Sequence, residues 1–172
     1  MDKISIDRIQ ESHPKIRIKL LTAYNEANNI ELGKGVRLRL SYVYRSPEEQ
    51  DVLFKKRPVV TKATAWQSFH QYGLAFDIVL MYDKDGDGNF EEVSWDTKRD
   101  GDKDGIADWL EVTKVFVKHG FVNGFMSKGK KWDLPHFQMD FGYSWQKLKS
   151  MIDSKNYTEE IQNGKKIKYV KI

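Results

Sequence analysis

Two of the four histidines in this chain lie near carboxylates at spacings that suit a metal. His70 precedes Asp77 by seven residues, in Ser68-Phe-His-Gln-Tyr-Gly73-Leu-Ala-Phe-Asp77, and His136 follows Asp133 by three, in Asp133-Leu-Pro-His-Phe137. With no cysteine in the chain, a zinc site has to use His, Asp or Glu. Two histidines and one carboxylate, with a fourth position open to water, form a standard catalytic zinc set. The His70–Asp77 interval is too long for one helical turn but suits a turn entering a strand, and Gly73 permits the bend. Asp133 is placed to stand beside the metal without ligating it, and to take a proton from a water whose pKa the metal lowers to about 7. The basic residue expected to face the site is Arg45, where a guanidinium can bind an oxyanion. On spacing alone, metal binding and ordinary packing are evenly matched for His70, Asp77 and His136. For His13 and His119 the ordinary reading, a satisfied surface or core histidine, is preferred.

The pattern Ser-x-His-x-x-Gly-x-Ala-x-Asp, followed by Asp-x-x-His, resembles the zinc D-Ala-D-Ala metallopeptidase family. That family includes D,D-carboxypeptidases and dipeptidases of the vancomycin-resistance type and the L-alanyl-D-glutamate endolysins of phages. The similarity runs from Tyr42-Val-Tyr-Arg-Ser-Pro-Glu-Glu-Gln50 through Ser68–Asp77 to Pro135-His-Phe-Gln138. It implies His70, Asp77 and His136 as zinc ligands, Asp133 as general base, Arg45 as transition-state stabiliser and Ser68 as a residue lining the site. Two departures stand out. Val43 replaces a frequent Gly, and Asp133 stands where the carboxypeptidase branch usually has Glu. The Asp form with Pro-His-Phe resembles the endolysin-like branch.

A second kind of metal chemistry lies between the two motifs. In Asp100–Glu111, carboxylates occupy positions 1, 3, 5, 9 and 12 of an EF-hand-like loop: Asp100, Asp102, Asp104, Asp108 and Glu111. Gly105 stands at the turn and Ile106 offers its backbone carbonyl, an oxygen-only set that selects calcium over zinc. Asp83, Asp85, Asp87 and Asn89 begin a similar loop, but Ser94 stands at its twelfth position, with Glu92 or Asp96 available to complete it. The first acidic loop follows directly on the stretch carrying Asp77, so calcium is expected to order the wall of the metal site.

Elements to position these residues are legible from periodicity. Helices are expected over Ser12–Asn29, after the Ser46-Pro-Glu-Glu49 capping box, over Ala107–His119 and over Ser144–Ile152. Strands are expected at Val36–Tyr42, Leu74–Met81, Phe121–Phe125, His136–Phe141 and Ile167–Ile172. The mixture lacks a regular βαβ repeat, which predicts an α+β fold with a mostly antiparallel sheet flanked by helices. The resemblance implies the hedgehog/D,D-peptidase-like version of that fold. One zinc peptidase domain is expected over 1–172, with the calcium-loop insertion at about 83–111.

The 172 residues suffice for a core, and 40% hydrophobic with 13% aromatic content excludes a disordered chain. A net charge of +4 suits a polyanionic partner without choosing one. The N-terminal residues contain no apolar signal region and no stretch approaches a membrane span. The resemblance therefore implies a Zn2+ peptidase acting on cell-wall peptidoglycan; with the acidic loops adding Ca2+, a monomer made in the cytoplasm and acting after release at host lysis is expected. Neither nucleic-acid binding nor membrane insertion is expected. The expected activity is L-alanyl-D-glutamate endopeptidase-like cleavage of stem peptides. Its alternatives are a D-alanyl-D-alanine carboxypeptidase or dipeptidase, and a non-catalytic calcium- or wall-binding module.

Overall fold

The computed structural model describes residues 2–58, 61–123 and 134–172. Helix α1 (Lys3–Gln10), capped by Asp2, was not expected from periodicity; it is followed by α2 (Pro14–Glu26), which continues as a π turn over Ala27–Glu31. The helix expected from Ser12 starts instead at Pro14, because His13 caps it: His13 Nδ1 accepts from the Lys15 amide and Nε2 donates to the Val170 carbonyl. Strand β1 (Val36–Tyr42) leads into α3 (Pro47–Lys55), which carries the Ser46–Glu49 capping box in both directions. A 3-10 turn (Phe69–Tyr72) precedes β2 (Ala75–Tyr82), followed by β3 (Glu92–Ser94), α4 (Asp108–Lys118) and β4 (Val122–Asn123). Then come β5 (His136–Gln138), α5 (Trp145–Asp153) and the hairpin β6 (Tyr157–Gln162) and β7 (Lys165–Val170). The strand expected to run to Phe125 enters residues outside those described, and β5 stops three residues short of Phe141.

The fold is α+β, as expected, and among the described residues every strand pairing is antiparallel. In the five-stranded sheet β2 is central. One of its edges pairs with β1, while the other is shared by β5 at residues 75–77 and β3 at residues 80–82. Alternation divides the faces of β2. Phe76, Ile78, Leu80 and Tyr82 point into the helix-covered core and are fully or almost fully buried. Beneath β2 and β5, Phe76 and Phe137 stack with ring centroids 5.4 Å apart, and Phe116 and Phe121 close around them. The opposite face carries Ala75, Asp77, Val79 and Met81, so the strand is half-open at Asp77 rather than buried throughout.

The bend ahead of β2 depends on Gly73. Its φ is +66°, and a Cβ there would lie 2.8 Å from the His13 amide nitrogen and 3.1 Å from the Glu11 carbonyl oxygen. Gly73→Ala should therefore destabilise the protein by about 2 kcal/mol or more, from left-handed strain plus a backbone clash, as read by denaturant unfolding.

Candidate metal centre

Strand register creates the site. Asp77 on β2 lies directly opposite His136 on β5, so both side chains leave the same face of the sheet. His70 comes over that face from the 3-10 turn, whose N-terminus Ser68 caps by accepting from the His70 amide. The three groups converge: His70 Nε2 to His136 Nδ1 is 3.2 Å, His70 Nε2 to Asp77 Oδ1 is 3.3 Å, and His136 Nδ1 to Asp77 Oδ1 is 3.1 Å.

The outward-facing nitrogens explain why these atoms point inward. His70 Nδ1 donates to the Val43 carbonyl at 2.7 Å, which leaves the lone pair on Nε2. His136 Nε2 faces Gln138 Oε1 at 3.2 Å, and the Gln138 amide is oriented by donating to Asp140 Oδ2 at 3.3 Å. The lone pair of His136 thus lies on Nδ1, toward Asp77. Two imidazole lone pairs and a carboxylate oxygen facing one point suit a cation. Tetrahedral zinc with bonds of about 2.0–2.1 Å sets its ligand atoms about 3.3–3.4 Å apart, close to the separations found here. The residues fit the ion. Burial pushes the Asp77 carboxyl up, but the positive charge of His70, and hydrogen bonds from His136 and His70 when these rings are protonated, outweigh it and hold the group far below the usual carboxylate range; a bound cation would take the place of those protons.

Arg45 stands three residues past the end of β1. Its Nη2 lies 3.8 Å from Asp77 Oδ2, Nη1 donates to Gln50 Oε1 at 3.0 Å, and the guanidinium sits 4.7 Å from the centre of the Tyr42 ring. A bulge in β1 between Leu40 and Tyr42 sets Tyr42, rather than Ser41, across from Asp77. Arg45, Ser68, His70, Asp77, His136 and Gln138 share one cleft of about 560 Å³, with Phe69 and Gln67 in its wall. Asp133 and its neighbour Trp132 lie outside the described residues. His13 and His119 are elsewhere, with His119 Nε2 2.6 Å from Glu26 Oε2.

Sequence reasoning missed Gln50, Gln138 and the Val43 carbonyl. Gln138 had a signal, since it lies two residues beyond His136 and so on the same strand face. Gln50 is the only buried side chain of α3, and it donates from Nε2 to the Ala63 carbonyl while accepting from Arg45. A carbonyl leaves no mark in side-chain identity.

The acidic loops sit at the other end of β2, at and beyond Tyr82. Five residues separate Tyr82 from Asp77, about 17 Å of strand. The expected role for calcium in shaping the wall of the metal site does not follow from this arrangement. In the first loop Asp83, Asp87 and Glu91 come together, Asp83 half-buried and the other two exposed, without Asp85. Glu92 pairs with Arg99 instead, at 2.8 and 3.1 Å. In the second, Asp100, Asp102 and Asp108 form one group and Asp102, Asp104 and Glu111 another. Asp108 is already engaged, accepting from the Tyr82 hydroxyl at 2.9 Å and the Gly101 amide at 3.0 Å. Burial, with Asp104 and Asp102 alongside, pushes Glu111 up to about 8.

Residues 61–139 match a family model described as D-alanyl-D-alanine carboxypeptidase. A curated relative, the peptidoglycan L-alanyl-D-glutamate endopeptidase CwlK of Bacillus subtilis (strain 168), is 39% identical over 111 residues, which cover 62% of this chain and 62% of that protein. The match thus spans somewhat less than two thirds of the relative's length. His70, Asp77, Asp133 and His136 all lie within residues 61–139, where the chain is similar to that family.

Proposed function

We propose that this protein is a zinc-dependent peptidoglycan peptidase that cleaves stem peptides as an L-alanyl-D-glutamate endopeptidase. The observation that carries the reading is the convergence of His70, Asp77 and His136 to within 3.3 Å of one another, in a cleft that also holds Arg45. The endopeptidase assignment rests on the similarity to CwlK.

A zinc ion held by His70, Asp77 and His136 supplies a Lewis acid that brings the pKa of water at the site toward 7 and polarises a carbonyl. The chain's own residues do the rest. Arg45, fixed by Gln50 and the Tyr42 ring, presents positive charge to the substrate carbonyl oxygen as it becomes an oxyanion. Asp133 accepts a proton as the water oxygen bonds to the carbonyl carbon, then delivers it to the amine nitrogen as the C–N bond breaks. Gln138 and the Val43 carbonyl hold the two imidazoles so that their lone pairs stay inward. Ser68 fixes the turn that carries His70.

Mass spectrometry of muropeptides digested by the zinc-loaded protein tests the reading. The expected products are stem peptides released at the L-alanyl-D-glutamate bond. Loss of a single terminal D-alanine would instead establish the carboxypeptidase activity that the family model's description names. No cleavage under zinc would leave a wall-binding module.

A further inference from the structure

Glu111 is 4% exposed, and its Oε2 has no hydrogen-bond partner among the described residues. An ionisable oxygen buried without a partner is costly and calls for an explanation. Its carboxylate lies beside those of Asp102 and Asp104, one oxygen from each of the three lying within 4.8 Å of the others. Asp102 also belongs to the group with Asp100. The carboxylate that bears the orphaned oxygen therefore lies in a cluster of its own charge, and a bound cation would answer both the charge and the missing partner.

We propose that Asp100, Asp102, Asp104 and Glu111 form a calcium site that fastens the first turn of α4 to the start of β1. All protein donors are oxygens, which excludes zinc's preferred nitrogen and sulfur ligands and favours a hard cation. In the twelve-residue register Glu111 takes the last position, where a carboxylate ligates with both oxygens, and Ile106 supplies its backbone carbonyl. That arrangement suits calcium's larger, irregular shell over magnesium's octahedron. Asp108 acts differently from the sequence expectation, with its oxygens on Tyr82 and Gly101, so it anchors the loop to β2. Asp102 Oδ2 also accepts from the Gly33 amide at 2.6 Å, three residues before β1. An ion there joins three segments distant in sequence: the loop, α4 and the entry to β1.

The site is separate from the His70–Asp77–His136 centre and its test needs no substrate, so it stands or falls independently of the proposed peptidase activity. The full chain, in calcium-free buffer with its zinc content measured throughout, is titrated with CaCl2 or MgCl2 and followed by calorimetry and thermal unfolding. Calcium at about 100 times its dissociation constant should raise Tm by about 5–10 °C, and magnesium by much less. Glu111→Gln should abolish most of the rise without lowering Tm in calcium-free buffer, since a neutral amide replaces a carboxyl that burial and its acidic neighbours already disfavour as an anion. Asp104→Asn, at an exposed position, serves if that variant fails to fold, and Glu91→Gln in the neighbouring cluster should respond like the native chain. The proposal is overturned if Tm and binding heat stay flat up to about 10 mM CaCl2, beyond the weakest protein calcium sites. An unchanged calcium response in both Glu111→Gln and Asp104→Asn, or an equal response to magnesium, overturns it as well.

Discussion

Asp77→Asn is expected to strip the metal from the protein and to lower peptide hydrolysis by at least about 10³-fold, the equivalent of about 4 kcal/mol of lost transition-state stabilisation. Asp77 is the only anion of the three-residue set, and it stands next to Arg45 at 3.8 Å. Replacing it with a neutral amide leaves two imidazoles and a guanidinium around the point where the cation would sit. The amide NH2 can also donate to an imidazole lone pair, occupying electrons that a cation would use. Fold should survive, because the backbone pairing of residue 77 with Tyr42 and His136 does not depend on its side chain. Metal analysis by mass spectrometry, thermal unfolding and a stem-peptide assay should show loss of metal and activity with secondary structure intact. One equivalent of bound zinc together with native turnover in this variant would rule out the proposed centre.

Asp133→Asn should separate binding from chemistry. A positioned general base contributes about 10²–10⁴-fold, so kcat should fall by that factor while the metal content stays at one equivalent. The substitution preserves size and hydrogen bonding but removes the proton acceptor. The contrast with Asp77→Asn is what makes the pair informative, since only one of the two should release the ion. If Asp133→Asn loses zinc, the residue is a ligand. If it turns over normally, another group moves the proton.

Much of the site was legible in the sequence because its chemistry resides in side chains at fixed intervals. His70 and Asp77 lie either side of a glycine that has to adopt positive φ, and the apolar run after them becomes the central strand. The capping box at Ser46–Glu49 was equally readable, since each of its bonds follows from local chemistry. Of the terminal hairpin only the closing strand was read; its partner was missed even though Asn163-Gly164 stands between the two, both residues with positive φ, as a two-residue hairpin turn requires. The polar Tyr157–Gln162 strand has little apolar alternation, so periodicity overlooked what the turn announced. Helix α1 went unread for a similar reason, being only eight residues long. Asp108 shows the opposite failure: the loop pattern specified a carboxylate, but tertiary contacts with Tyr82 and Gly101 decided where it points.

The two imidazoles are not equally open to change. Gln138 orients His136 through a side chain, so a single codon can make that partner anionic, shorten it or remove it, and each change would retune the ligand's basicity. His70 leans on the main-chain carbonyl of residue 43, which every amino acid supplies. A replacement of Val43 leaves that acceptor in place, and a substitution scan of the position will report core packing while remaining blind to the oxygen that holds the ligand. One histidine is therefore adjustable by ordinary mutation; the other is altered only by moving the backbone itself.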